Sequence, residues 1–199
     1  MGFSFGKLFG HGKEAAAATP EQCFINLYEK VKKGDLETMV TVAGFSAITP
    51  EMLKKTNGIV KGHIQKYLVK ILEKTQLQAQ ILADNGETVT LQVMGDAADL
   101  AALITQYRQR LDEMESELGL RTKQQMDMRK VGMLAGALDE CIAQVGTVPV
   151  TEELVVENQS GAWVIGDETA LSKAFLGIHT QDLEQKFSEV FGDLAQAVT

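Results

Sequence analysis

The sequence predicts an α+β fold, helices packed on an antiparallel sheet, and three observations carry that expectation. Two hairpin signatures stand far apart in the chain. Residues 76–83 and 88–94 flank Asp84-Asn85-Gly86-Glu87, while Val148, Val150, Leu154, Val155 and Val156 precede Asn158-Gln159-Ser160-Gly161 and then Ala162-Trp163-Val164-Ile165. Around and between them, apolar residues recur at helical spacing behind recognisable caps. The third observation is size: 199 residues, 45% of them hydrophobic, suffice for a sizeable core.

In chain order, residues 1–18 read as a flexible leader in which Phe3, Phe5, Leu8 and Phe9 alternate with glycines. Lys7 interrupts the apolar run and no basic segment precedes it, so the pattern is not that of a signal peptide. Gly6 occupies the place where a myristoylation signal needs Ser or Thr. A weak membrane-surface anchor and a phenylalanine-bearing docking peptide are the alternatives for this leader.

From residue 19 to 199 we expect a single α+β domain. Thr19-Pro20-Glu21-Gln22 opens a helix, with Thr19 as cap, Pro20 at the first helical position and Gln22 closing the box. Cys23, Phe24, Leu27, Tyr28 and Val31 then form one stripe, and Lys32-Lys33-Gly34 ends it. Asp35 caps a short helix bearing Leu36, Met39 and Val40. Thr49-Pro50-Glu51-Met52 repeats the start signal for a helix carried to Leu72, which Gly58 and Gly62 weaken by about 1 kcal/mol each.

After the hairpin whose Asn85-Gly86 dipeptide favours a two-residue primed turn come two helical segments, 97–118 and 122–145. Leu100, Ile104, Tyr107, Leu111, Met114 and Leu118 keep a heptad seam, answered by Val131, Leu134, Leu138, Cys141 and Val145, with Gly119 at the reversal. Two narrow stripes on a short connection predict an inserted antiparallel helical hairpin, about 97–145. Met114, Met126, Met128 and Met133 are read as core filler. The C-terminal helical segment, 169–199, reads as a short helix bearing Leu171 and Phe175 and a second, from Thr180, bearing Leu183, Phe187, Phe191 and Leu194, whose apolar face must dock to be stable.

Composition and motifs exclude several functions. A net charge of −8 argues against nucleic acid, whose phosphates need clustered Lys and Arg; the lysines between 54 and 74 read as a solvated helix face. Cys23 and Cys141 have no metal-ligand or disulfide-framework spacing and read as buried thiols; a bridge between them would require an oxidising compartment. Three scattered histidines give no metal set, and no cofactor motif is present. No stretch is long and apolar enough for a transmembrane segment.

Two stretches carry a resemblance. Residues 19–36, TPEQCFINLYEKVKKGDL, and 157–165, ENQSGAWVI, resemble the nuclear transport factor two-like superfamily, near small bacterial lumazine-binding-like and lipoprotein-type domains. Lys33-Gly34-Asp35 matches the turn after the first helix, and Gly161-Ala162-Trp163 the Gly-x-Trp strand. The resemblance implies a cystatin-like cone, N-terminal helices on a curved antiparallel sheet. The helical pair departs from the usual run of strands, and the export signal with a lipid-bearing Cys that is common in such proteins does not match here.

Some members of the superfamily are isomerases or dehydratases that use a carboxylate or histidine inside the cone. The candidate here is His63 beside Tyr28 or Tyr67; with Trp163 these form the expected ligand-binding set, and no residue is assigned as catalytic or metal-binding. The leading expectation is a non-catalytic binding or assembly module for a protein, peptide or small apolar ligand. The alternative is a small-molecule isomerase or dehydratase. We expect a homodimer, since so much apolar helix surface favours twofold burial, and a cytoplasmic location, or an envelope-associated one if the native leader is missing.

Overall fold

The structure, a computed structural model, describes residues 19–43, 55, 58–120, 127–165 and 168–198. The leader, the second Thr-Pro-Glu start signal at residue 49 and the first turn expected after residue 122 lie outside the described residues. The chain packs as two compact units, Met1–Ala98 with Thr147–Thr180, and Asp99–Gly146 with Gln181–Thr199.

The first unit is the α+β body. Helix α1 (Pro20–Lys32) starts at Thr19, whose hydroxyl accepts from the Gln22 amide at 3.2 Å. Helices α2 (Leu36–Ala43) and α3 (Gly58–Leu72) precede strand β1 (Gln76–Asp84), and Asp35 caps α2 by accepting from the Thr38 amide at 2.8 Å. Strands β2 (Thr88–Ala98), β3 (Thr147–Gln159) and β4 (Ala162–Ile165) follow, and the curved sheet runs β1-β2-β3-β4, antiparallel throughout.

Alternation gives the sheet two unlike faces. Val89, Leu91 and Val93 of β2, Val150, Leu154 and Val156 of β3 and Ile165 of β4 are buried on one of them. Helix α1, which meets all four strands, and helix α7 (Glu168–Leu176) cover that side. Phe24, Leu27, Phe175 and Leu171 fill the layer between, each at most 1% exposed. Burial at this depth contributes about 1.5–3 kcal/mol per side chain, so this layer dominates the unit's stability. The other face carries Thr90, Gln92, Thr151, Glu153 and a Gln80–Gln92 amide bond of 2.8 Å.

The second unit is helical. Helix α4 (Leu100–Glu113) breaks at Met114 into the short α5 (Glu115–Leu118), and Gly119 closes it at φ +63°. Helix α6 (Met128–Gln144) returns antiparallel: the Asp99 amide donates to the Gly146 carbonyl, the Tyr107 hydroxyl lies 3.4 Å from the Leu134 carbonyl, and Arg129 pairs with Glu117 at 2.8 Å. The residues of helix α8 (Thr180–Val198) in this unit bury Leu183 and set the Phe191 ring 6.2 Å from Tyr107.

Three expectations are corrected. The helical pair does not begin at Ala97, because Ala97 and Ala98 still pair with Val148 and Thr147; Asp99 is the cap, accepting from the Ala102 amide at 2.9 Å. The Asn-Gly loop is not a two-residue primed turn: only Gly86 takes positive φ, while the Asn85 side chain accepts from the Glu87 and Thr88 amides. That turn occurs in the other hairpin, where Ser160 (φ 58°) and Gly161 (φ 89°) join Gln159 to Ala162. The seam of α6 is also graded along its length, Cys141 and Val145 being buried while Val131 is 45% exposed.

Candidate functional site

Tyr28 lies where α1 crosses the start of β1. Its ring stacks on Phe24 at 6.1 Å and tilts against Phe175 at 5.9 Å. The hydroxyl donates to the Thr75 carbonyl at 2.9 Å and accepts from the Leu77 amide at 3.3 Å, with Lys32 Nζ 3.4 Å away. All of its hydrogen-bonding capacity is thereby engaged by the fold. Tyr28 ties helix to strand, and its ring belongs to the core.

The other candidates that the sequence suggests stand elsewhere. His63 is exposed on α3, and Tyr67 is half-buried on the same helix with Lys66 and Lys70 ammonium groups 5.3 and 6.0 Å from its ring centre. Trp163 shares the helix-covered face with Ile165 but sits opposite Asn158, next to the Ser160-Gly161 turn, and is half-buried. Leu77, the anchor of Tyr28, aligns through Gly95 with Val150. Val150 and Asn158 are separated by roughly 26 Å of strand at about 3.3 Å per residue. Tyr28 and Trp163 therefore occupy opposite ends of the sheet.

One charged pair on the helix-covered face has no local signal in the sequence. Glu152 lies between Val150 and Leu154 on β3, is 12% exposed at its side chain, and meets Lys173 Nζ of α7 at 2.7 Å. A carboxylate at this depth requires a counter-charge, and Lys173 supplies it from a helix far away in sequence. Nearby, Thr75 donates to the Phe175 carbonyl at 3.2 Å, and Thr180 donates through its hydroxyl to the Ala43 carbonyl.

The second unit holds an open groove of about 400 Å³ between α4 and α6. Gln106, Gln109, Arg110 and Glu113 line it from one helix at the spacing of a single helical face; Glu140, Cys141 and Gln144 line it from the other. Arg110 reaches Glu113 at 2.9 Å and Glu140 at 3.4 Å, which holds its guanidinium more firmly protonated than usual, the Glu113 hydrogen bond first and the Glu140 charge second. The Cys141 thiol is pushed up by burial and then by Glu140. Cys23, inside the first unit, is pushed up to about 11 by burial, a hydrogen bond with the Ile165 backbone acting in the opposite direction. Raised thiols are poor nucleophiles near neutrality, so the groove offers hydrogen-bonding amides and a compensated charge cluster but no activated attacking group. In sequence its polar residues look like a solvated helix face; only the return of α6 alongside makes them a groove.

Among the described residues no group of three or more His, Cys, Asp or Glu could hold a metal ion, and no helix is long and apolar enough to cross a membrane. No protein-family model and no curated protein matches the chain. A solved structure from Bacillus subtilis subsp. subtilis str. 168, described as a "putative lipoprotein (ycdA)", is similar at 15% identity with a TM-score of 0.44. The match covers 86% of this chain and 53% of that one, so this chain spans about half the length of its structural neighbour.

Proposed function

We propose that this chain is a non-catalytic binding or assembly module that works through its surfaces rather than through a pocket inside the sheet. The observation that carries this reading is the filling of the helix-covered side: Phe24, Leu27, Leu91, Leu154, Leu171 and Phe175 are each at most 1% exposed. An isomerase or dehydratase needs an acid or base converging on substrate in an open cone. Here Glu152 is paired with Lys173, His63 is exposed, and both thiols are held toward the neutral form.

Placement near the nuclear transport factor two-like superfamily is part of the proposal. It is supported by the turn at Lys33-Gly34-Asp35 between α1 and α2 and by Gly161-Ala162-Trp163 opening β4. The groove on the helical pair, lined by glutamines and a compensated Arg-Glu cluster, suits a polar peptide better than an apolar molecule. We place the module in the cytoplasm, with envelope association as the alternative, and expect it to act as a homodimer.

Thiol labelling tests the reading. Cys23 lies inside the first unit, so native protein treated with iodoacetamide should modify Cys23 at least ~100-fold more slowly than urea-unfolded protein, because reaction must await opening. Rapid native labelling of Cys23 would show small molecules reaching the interior and would favour the enzyme.

A further inference from the structure

The loop between β1 and β2 carries the dipeptide Asn85-Gly86, and both residues are exposed. Asparagine before glycine is open to an internal reaction, because the next residue's main-chain nitrogen can reach the side-chain carbonyl carbon and glycine has no Cβ to obstruct it. A Cβ at Gly86 would meet nothing within 4 Å, so that side of the residue faces open space.

Three hydrogen bonds prepare the groups that would react. The Gly86 N–H donates to Asp84 Oδ1 at 2.7 Å, within reach for proton transfer to a carboxylate. Asn85 Oδ1 accepts from the Glu87 amide at 3.2 Å and from the Thr88 amide at 2.7 Å. Two main-chain donors on one carbonyl oxygen polarise its carbon, and they already stand where attack on that carbon would place negative charge. The fold holds these donors in position. The Asn85 amide donates to the Thr88 carbonyl at 3.1 Å, and the Asn158 amide of the second hairpin donates to the Glu87 carbonyl at 2.8 Å.

We propose that Asn85 is a self-modification site, at which the folded loop converts the side-chain carboxamide into aspartate and isoaspartate. Asp84 takes the Gly86 amide proton as that nitrogen attacks Cγ of Asn85, and the new N–Cγ bond leaves the charge on Oδ1 between the Glu87 and Thr88 amides. The carbonyl then re-forms, the Cγ–Nδ2 bond breaks, and the proton passes from Asp84 to the departing nitrogen, which leaves as ammonia. Water opens the resulting cyclic imide at either carbonyl. One opening gives aspartate; the other gives isoaspartate, with an extra methylene in the main chain between residues 85 and 86. Either product sets a new carboxylate between Asp84 and Glu87 in a loop that already carries both. This chemistry stands apart from the binding or assembly reading above. It also gives a consequence to the turn: the Asn85 side chain that holds Glu87 and Thr88 is thereby held for attack.

Peptide mapping by mass spectrometry tests this on the full chain, aged either native or unfolded in guanidinium at one pH and temperature. Asn57-Gly58, the chain's other Asn-Gly dipeptide, is the internal reference: unfolded, the two asparagines should convert at similar rates. The expected result is conversion of Asn85 at least ~10-fold faster in the native than in the unfolded chain, with isoaspartate among the products. Asp84→Ala should bring the native rate down to the unfolded one while leaving the unfolded rate unchanged. If Asp84→Ala fails to fold, the comparison of native with unfolded unmodified chain carries the test. A native rate equal to or below the unfolded rate overturns the proposal, since the loop would then protect Asn85. Native acceleration that survives Asp84→Ala in a folded variant overturns it too, as does a product free of isoaspartate, which would mean direct attack by water.

Discussion

Tyr28 shows how one side chain can be half core and half connector. Its ring contributes to the Phe24–Phe175 cluster, while its hydroxyl bridges the Thr75 carbonyl and the Leu77 amide. Tyr28→Phe keeps the ring and strands the Leu77 amide, while the Thr75 carbonyl keeps the Lys32 ammonium at 3.1 Å, so urea unfolding should show a loss of about 1–3 kcal/mol with an unchanged m-value. Cys23 predicts a pH effect. Its native pKa of about 11 lies above the unfolded value near 9, so between them the unfolded chain has released a proton that the native chain retains. The contribution is fully present below pH 9 and is lost as pH rises through 11, at most about 2–3 kcal/mol for a shift of this size. The slope of stability against pH in that window should be shallower in Cys23→Ala than in the unmodified chain; equal slopes would contradict the assignment.

At the scale of elements, the two tight hairpins exchange the turns that their sequences advertise. Asn85-Gly86 is the stronger primed-turn dipeptide, yet Asn85 spends its side chain on the Glu87 and Thr88 amides, while Ser160-Gly161 adopts positive φ at both positions. Serine tolerates that conformation poorly and asparagine well, so Ser160→Asn should raise stability by roughly 0.5–1 kcal/mol in thermal or urea unfolding. Gly95 on β2 makes the opposite point. A Cβ there would stand 1.9 Å from the Gln76 carbonyl oxygen, so Gly95→Ala should split β1 from β2 and cost more than about 3 kcal/mol, visible as lost amide protection in β1. The elements are legible in the sequence because caps and periodicity are local: Thr19, Asp35 and Gly119 each act within a few residues. The boundary at Ala97 is not, since those two alanines are strand only because Val148 and Thr147 lie across from them.

For the whole molecule, the α+β class and the single four-stranded sheet can be read from two hairpin signatures and a set of amphipathic helices. The site residues cannot. Tyr28 looks like a pocket residue because nothing in its own helix reveals Thr75, and Glu152 looks like a solvated strand residue because nothing nearby reveals Lys173. The grooved face of the helical pair exists only once α6 lies against α4. With Phe24, Leu27, Leu171 and Phe175 filling the space between α1, α7 and the sheet, the proposed module works through its surfaces. A crystal of the intact chain pressurised with xenon tests it most directly, because xenon enters dry apolar cavities and is excluded from native-density packing. No xenon is expected among Phe24, Leu27, Leu91, Leu154, Leu171 and Phe175; an ordered xenon atom within that cluster would reveal an open cone and overturn the filled-core reading.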